Sequence, residues 1–189
     1  MTAQKQKLLK LDIGCGKIGW QQEPLDEWVH LDIEPQEHVE IVADIGDIPL
    51  GDHSVDEIYV GDIVEHIPLW RYDEVFCEWS RILKPGGLVK GRCPNIDRAM
   101  RDYAEGNETF ENAFNAIYGW GNNPTQVHYR GYTEETLTKL FAAYGFEVED
   151  FAGSPGPVMR PWWLVFEGKK VTEAKPCGYG MERWEDDQA

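Results

Sequence analysis

The sequence predicts a three-layer α/β domain built on a mostly parallel sheet, and three observations lead to this fold class. Short apolar runs recur along the chain, and acidic, glycine or proline residues follow each of the first four. Two well-marked segments with helical spacing of apolar residues alternate with the later runs. The length of 189 residues is that of one ordinary domain. Such an order is expected where strand ends face a ligand crevice.

Seven runs predict the strands. The first is apolar and ends at a glycine turn, as is typical of a buried parallel strand. The second and third end at Asp32 and Asp44. We expect the last two strands to pair antiparallel around a connection at residues 153–157. The predicted strands cover residues 7–13, 28–31, 40–43, 55–60, 88–93, 146–151 and 162–166.

Two segments predict helices that pack on this sheet. Residues 71–84 carry apolar side chains at helical spacing, and the Pro-Gly-Gly sequence at 85–87 ends the segment. The second helix begins at Thr133, a good N-cap followed by two glutamates, and Gly145 is placed to end it. We expect both helices to present one apolar face to the core.

A single domain over residues 1–170 is expected, with an insertion at residues 95–131 and an acidic tail at 171–189. Aromatic residues of the insertion, with Phe110 and Phe114 at helical spacing, suit a lid or a wall of a substrate pocket. A local mini-core under a surface loop is the alternative interpretation. The tail has no apolar period and is expected to be loosely held.

Composition and charge exclude several classes of protein. No apolar run approaches the roughly 20 residues that span a bilayer, and the N-terminus lacks the features of a secretory signal. The four cysteines form no C-x-x-C pair, so neither a zinc cluster nor a disulfide framework is indicated. A net charge of -16 repels phosphate backbones, which argues against nucleic acid as a partner. A cytoplasmic protein is expected.

The segment after the first strand predicts a nucleoside site. It reads Asp12-x-Gly14-x-Gly16-x-x-Gly19, and its glycines let the backbone turn tightly and approach a ligand. Asp32 at the end of the second strand can accept hydrogen bonds from both hydroxyls of a ribose. Asp44 and Ile45 suit the amino group and the face of an adenine.

A dinucleotide-binding protein shares this pattern, but two features count against it. Few residues separate Gly19 from the second strand, and Pro24 lies among them, so a helix that would hold a pyrophosphate has little room. Asp12 would also lie near that pyrophosphate, whereas it suits the cationic amino group of a methionine moiety. The residues therefore favour a cofactor without phosphates.

At this point the sequence resembles class I S-adenosylmethionine-dependent methyltransferases, especially short bacterial and phage-type members of the methyltransferase-11 kind. The resemblance is carried by LDIGCG at 11–16, HLDIEP at 30–35, VADIGDIP at 42–49, SVDEIYVGDIVEH at 54–66, RILKPGG at 81–87 and GYTEETLTKLFAAYG at 131–145. It implies a seven-stranded Rossmann-like sheet whose last strand is antiparallel. The implied cofactor contacts are Asp12, Gly14, Cys15, Gly16, Asp32, Ile33, Asp44, Ile45, Gly61 and Asp62.

Glu65 and His66 follow the fourth strand, where the resembled family presents residues toward the transferring methyl group. His66 is a candidate base, with Glu65 and His128 as further candidate catalytic residues. The alternative is that the Glu-His pair mainly braces the loop. Geometry decides between them.

Asp62, Glu65, His66 and His128 also suggest a divalent-metal site, because two carboxylates and two imidazoles are suitable ligands. The pattern resembles that of certain metal-dependent O-methyltransferases, with Asp62 in place of a longer glutamate. The alternative is that His128 simply bonds a backbone carbonyl. The spacing leaves both interpretations open.

The expected function is methyl transfer from S-adenosylmethionine to a small-molecule or sugar acceptor, at oxygen. Tyr129 and Arg130 are candidates for lining the acceptor pocket. Two alternatives remain: a non-catalytic accessory protein that binds the cofactor, and an NAD-dependent oxidoreductase.

Overall fold

The structure is a computed structural model, and it describes residues 8–16, 27–121, 124–152 and 163–179. At positions 149, 150 and 152 the description covers the backbone alone. Several predictions fall outside these ranges: Gly19 and the scant room for a helix after it, the connection at residues 153–157, and the end of the tail.

In the part of the chain that the structure describes, seven strands form one sheet in the order β3-β2-β1-β4-β5-β7-β6. The strands β1 to β5 are parallel to one another, and β7 runs antiparallel to both β5 and β6. The predicted α/β class, the seven strands and the antiparallel last strand are confirmed. The bounds are β1 Lys10–Ile13, β2 Val29–Asp32, β3 Ile41–Val42, β4 Val55–Gly61, β5 Leu83–Pro94, β6 Phe146–Ala152 and β7 Trp163–Lys170.

The first helix and the strand β5 meet earlier than predicted. The helix α1 (Tyr72–Ile82) ends at Ile82, and Leu83 is already extended and pairs with Val55. Lys84 precedes Pro85, whose ring disfavours a helical conformation at the residue before it. The Pro-Gly-Gly sequence therefore lies inside the strand, and the prediction that it ends the helix was wrong by a few residues.

The helix α4 (Glu134–Ala143) begins and ends as predicted. Thr133 accepts a hydrogen bond from the Thr136 amide in a capping box, and Gly145 follows the helix at a φ of 80°. The aromatic side chains of α1 and α4 pack together: the ring of Phe76 lies 5.4 Å from Phe141 and 4.9 Å from Tyr144. The core between the helices and the sheet is therefore largely aromatic on this side.

The insertion contains two helices, α2 (Ile96–Ala104) and α3 (Phe110–Tyr118). They meet through small residues, because the buried Ala99 and Ala116 pack together against Trp163. The aromatic stripe of α3 faces outward instead, with Phe110 65% exposed. The buried contact between the two helices is therefore made by the alanines, and the aromatic stripe lies outside it.

The tail is held where the structure describes it, contrary to the expectation that it is loose. The Asp73 carboxylate on α1 accepts hydrogen bonds from the amides of Cys177 and Gly178, at 2.9 and 3.2 Å. The Ala174 amide donates to Ser80, and the ring of Tyr179 stacks on Tyr72. Residues 171–179 thus pack against α1. Among the described residues, no helix is long and apolar enough to cross a bilayer.

Candidate active site

The predicted site residues gather at the carboxyl ends of the parallel strands. The strand order reverses beside β1, because β2 continues the chain on one side and β4 lies on the other. A crevice opens at such a switch point, and ligands of open α/β sheets bind there. Gly14, at the end of β1, and Ile63, just after β4, meet across this point: a Cβ on Gly14 would lie 2.2 Å from the Ile63 side chain.

The glycine loop is tied to the end of β2. Gly14 has a φ of 69°, and its amide donates to the Leu31 carbonyl at 2.7 Å. The amide of Gly16 donates to the Asp32 carboxylate at 2.9 Å. The other carboxylate oxygen of Asp32 accepts the Glu34 amide at 2.9 Å, and the Ile33 side chain beside it is 61% exposed. Asp32, the carboxylate predicted to bind the ribose, therefore also holds the glycine loop at residues 14–16 in place.

Asp12 lies beneath this loop and is only 3% exposed. Its carboxylate lies 3.0 Å from the ring Nδ1 of His30. Burial raises the pKa of Asp12, while the hydrogen bond and charge of His30 oppose the rise. Asp12, the predicted partner of the methionine amino group, thus contacts His30 of β2. Its negative charge would act on a ligand from beneath the glycine loop.

Cys15 and Gly16 contact a second histidine. The His38 Nε2 donates to the carbonyl of Gly16 at 2.9 Å and lies 3.7 Å from the Cys15 sulfur. Burial, together with the charges of Asp12 and Asp32, raises the pKa of the Cys15 thiol to about 12. The thiol is therefore neutral at physiological pH and packs as a small apolar group.

Asp44 and Ile45 lie together in the segment after β3. The Asp44 carboxylate accepts hydrogen bonds from the Gly46 amide at 2.7 Å and from the Arg71 guanidinium at 2.5 Å. Burial opposes ionisation, but these hydrogen bonds outweigh it and lower the pKa of Asp44. The indole of Trp79 donates to the Ile45 carbonyl at 3.1 Å. Both residues are thus fixed from α1 and its N-terminal flank.

Gly61 ends β4, and Asp62 follows it with a left-handed φ of 56°. Its carboxylate pairs with Arg92 of β5 at 2.9 Å from Nε and 2.7 Å from the terminal nitrogen. The guanidinium of Arg92 lies over the ring of Trp163 at 3.9 Å. Asp62 therefore forms an ion pair with Arg92. It lies outside the group of potential metal ligands that the described residues form.

Glu65 is a buried carboxylate with no hydrogen-bond partner among the described residues. Glu65 is 1% exposed, and no described donor lies within hydrogen-bonding distance and angle of either carboxylate oxygen. Burial raises its pKa well above the usual range, and the charge of Asp62 adds to the rise. The backbone N–H of Glu65 and the charge of Arg92 oppose it only in part. A buried carboxylate without a partner destabilises the folded state unless a proton or a cation neutralises its charge.

His66 and His128 lie against this carboxylate. One ring nitrogen of each and a Glu65 oxygen all lie within 4.8 Å of one another. The Nδ1 of His66 is 3.0 Å from the Val127 carbonyl, and that of His128 is 3.0 Å from the Ala116 carbonyl. The prediction that His128 bonds a backbone carbonyl is confirmed, yet this bond does not exclude the cluster. Burial lowers the pKa of both rings, for His128 to about 4.

The end of the insertion is what brings His128 to the site. The amides of Tyr129 and Arg130 donate to the Glu65 carbonyl at 2.8 and 3.4 Å. Gly119, at a φ of 78°, forms an isolated bridge with Val127, and a Cβ there would lie 1.9 Å from the Gln126 carbonyl oxygen. Only glycine fits at this crossing. The indole of Trp70 contacts the half-exposed ring of Tyr129 nearby.

Four residues of the site were not found from the sequence. His30, His38, Arg71 and Arg92 each contact a predicted site residue. In the sequence, Arg71 and Arg92 are recognisable only as basic residues near apolar runs. Such positions are common in any protein, so the sequence does not predict their pairing with Asp44 and Asp62. His30 begins the HLDIEP segment, but nothing in that segment predicts its contact with Asp12 across the β1–β2 pair. His38 follows no motif, and only its packing against the glycine loop shows its role.

A comparison with protein families finds a methyltransferase domain. The model of a methyltransferase domain matches residues 11–90, the part of the chain that runs from β1 through β5. A curated relative from Mycolicibacterium smegmatis, named "Probable S-adenosylmethionine-dependent methyltransferase", is 31% identical over 111 residues, or 59% of this chain. The chain spans only 36% of that relative's length.

Solved structures share the fold at low sequence identity. The 1,6-didemethyltoxoflavin-N1-methyltransferase of Burkholderia thailandensis, solved with its substrate and S-adenosylhomocysteine, is 16% identical with a TM-score of 0.61; the match covers 87% of this chain and 71% of that one. A methyltransferase of Methanosarcina mazei is 16% identical with a TM-score of 0.60, covering 89% and 95%. Residues 11–90 thus match a methyltransferase domain, and the chain shares its fold with solved S-adenosylmethionine-dependent methyltransferases.

Proposed function

We propose that the chain binds S-adenosylmethionine at the switch point and transfers its methyl group to a small-molecule or sugar acceptor, at oxygen. One observation carries the proposal: the glycine loop, Asp32 and Asp44 converge at the edge of a domain matched as a methyltransferase. The relative from Mycolicibacterium smegmatis is named a probable S-adenosylmethionine-dependent methyltransferase, and this chain matches part of it.

The cofactor lies along this edge in the proposal. Asp32 binds the ribose hydroxyls through lone pairs that the amides of Gly16 and Glu34 leave available. The adenine lies between the exposed side chain of Ile33 and the segment of Asp44 and Ile45. The methionine end extends over Gly14, where the negative charge of the buried Asp12 favours its ammonium group.

The sulfonium methyl then points toward the residues after β4. His66 is neutral at physiological pH, because burial lowers its pKa, and its Nδ1 proton is held by the Val127 carbonyl. Its Nε2 therefore carries the lone pair of a base. The acceptor oxygen attacks the methyl carbon, the carbon–sulfur bond breaks with its electron pair passing to sulfur, and the hydroxyl proton passes to Nε2.

The surroundings of His66 favour a small acceptor with an apolar face. Trp70 and Tyr129 lie edge to face with ring centroids 5.7 Å apart, and they are 68% and 52% exposed. Flat aromatic surfaces of this kind suit a sugar ring or another small ring system. The net charge of -16 disfavours nucleic acid. In this proposal residues 95–131 form an inserted acceptor wall within one domain.

Calorimetry with S-adenosylhomocysteine tests the cofactor part of the proposal. We expect binding by the native chain and a loss of about tenfold or more in Asp32→Ala, equivalent to about 1.4 kcal/mol. The matched control is Asp97→Ala, which removes an exposed carboxylate paired with Arg101 on α2. Binding of NAD but not of S-adenosylhomocysteine would overturn the proposal. Tight cofactor binding without turnover on any extract-derived acceptor would support an accessory role instead.

A further inference from the structure

We propose that Glu65, His66 and His128 bind one divalent first-row transition-metal ion. The metal site itself depends only on these three side chains, whereas its role in methyl transfer rests on the proposed function. The site differs from the one expected from the sequence, because Asp62 belongs to an ion pair with Arg92 and is not a ligand.

The carboxylate supplies the first argument. A buried carboxylate without a partner is rare in native proteins, because moving a charge out of water is costly unless a hydrogen bond or an opposite charge compensates for it. Both oxygens of Glu65 lack partners among the described residues, although polar groups such as the Tyr129 amide already bond its backbone carbonyl. A bound cation would satisfy both oxygens at once.

The two imidazoles supply the second, independent argument. A carbonyl oxygen can only accept, so the bonds to Val127 and Ala116 place a proton on each Nδ1. Each Nε2 is then left with a lone pair. Metal-binding histidines are characteristically oriented in this way, with the other ring N–H donating to a carbonyl. The rings are also held at 74° to one another with centroids 4.7 Å apart.

The donor set indicates the class of ion. A set of one carboxylate and two imidazoles suits Fe²⁺, Mn²⁺, Co²⁺ or Zn²⁺ better than Ca²⁺ or Mg²⁺, because the latter two prefer oxygen ligands throughout. Three protein ligands leave coordination positions open. When the ion is bound, the Nε2 of His66 is a ligand and is not the base that it is in the metal-free site. An acceptor hydroxyl in an open coordination position would then lose its proton at a lower pH, which is the chemistry that such an ion supplies.

Titration with Co²⁺ alone tests the site, without cofactor or acceptor. We expect one equivalent to bind in calorimetry with visible ligand-field absorption bands, and Zn²⁺ to displace it. Glu65→Gln and His128→Gln should each weaken binding by about 100-fold or more, beyond the 10–100-fold that supporting residues contribute. His53→Gln is the matched control, since its Nδ1 also bonds a backbone carbonyl but it precedes β4, at the opposite end of the strand.

Asp62→Asn separates the three-ligand site from a four-ligand one. Asparagine tolerates the left-handed φ at this position, so we expect the fold to be kept and Co²⁺ affinity to change by less than about tenfold. Absence of Co²⁺ binding in the native chain, or equal binding by Glu65→Gln and native protein, would overturn the metal site. Because no methyl donor is present, these outcomes are independent of whether the proposed function holds.

Discussion

His66 and His128 lie edge to face across the site with ring centroids 4.7 Å apart, although the inserted helices α2 and α3 separate them in the chain. Each ring is fixed by a backbone carbonyl that belongs to the insertion, Val127 for His66 and Ala116 for His128. The insertion therefore contributes His128 to the site, and it also fixes the orientation of His66, which follows β4. The predictions below test this arrangement and the loops around it.

Glu65→Gln should stabilise the metal-free protein at neutral and alkaline pH. The pKa of the Glu65 carboxyl is raised in the folded state. Its contribution to the free energy of unfolding is therefore fully present below about pH 4.5, the value in the unfolded chain, and is lost as the pH rises through the folded pKa. Glutamine has no charge to bury. We expect a gain of about 1 kcal/mol, or about 2–4 °C in Tm for a chain of this size, growing from pH 5 to pH 8.

Thermal melts in the presence of a chelator measure this difference. A gap between variant and native Tm that stays constant over the pH range would show that the Glu65 carboxyl does not titrate with a raised pKa. The chelator is needed because an ion bound to Glu65 would stabilise the native chain by mass action and mask the effect.

His66→Gln should lower the rate of methyl transfer by about 100-fold or more, the usual contribution of a general base. In the native protein the pKa of His66 is lowered, so its base form persists below pH 6.5 and activity should fall only at more acidic pH. Release of S-adenosylhomocysteine measured from pH 4.5 to 8 gives both results. Equal rates for His66→Gln and the control His53→Gln would rule out the base role.

Gly14→Ala should weaken cofactor binding more than it weakens the fold. A side chain at a φ of 69° costs about 1–2 kcal/mol, and the new Cβ must also displace Ile63 at the crevice. Gly106→Ala is the matched control, because Gly106 has a φ of 77° and open space around it.

Both glycine variants should lose stability through the left-handed φ, and Gly14→Ala should lose somewhat more because Ile63 must also move. We expect a loss of about tenfold or more in S-adenosylhomocysteine affinity only in Gly14→Ala. Denaturant titrations and calorimetry give the two quantities. If both variants bound the cofactor equally well, the placement of the methionine end over Gly14 would be incorrect.

Asp73→Ala should release the segment 171–179 from α1. The carboxylate accepts hydrogen bonds from the amides of Cys177 and Gly178 and from the hydroxyl of Tyr144. Hydrogen bonds to a charged group contribute about 1.5–3 kcal/mol. Hydrogen exchange of the Cys177 and Gly178 amides should accelerate in this variant and remain unchanged in Asp97→Ala, whose carboxylate pairs on the exposed face of α2.

Much of the fold could be predicted because it depends on local patterns. Apolar runs with acidic, glycine or proline punctuation predict parallel strands, and the cap at Thr133 and the glycine at Gly145 mark the ends of α4. The junction of α1 and β5 was misplaced, since the extended conformation of Leu83 depends on pairing with Val55 across the sheet. The docked tail was missed for the same reason: Asp73 and Cys177 are distant in the chain.

By itself, the sequence determined the order of the elements and the chemistry of the strand ends: the glycines of the first loop and the carboxylates of Asp32 and Asp44 follow directly from short motifs. Only the tertiary structure decided how these groups pair. Arg92 lies opposite Asp62 because β5 lies beside β4, which removes Asp62 from the cluster that its spacing suggested. His128 reaches Glu65 because backbone hydrogen bonds hold the end of the insertion against it, and such long-range bonds leave no periodic trace in a sequence.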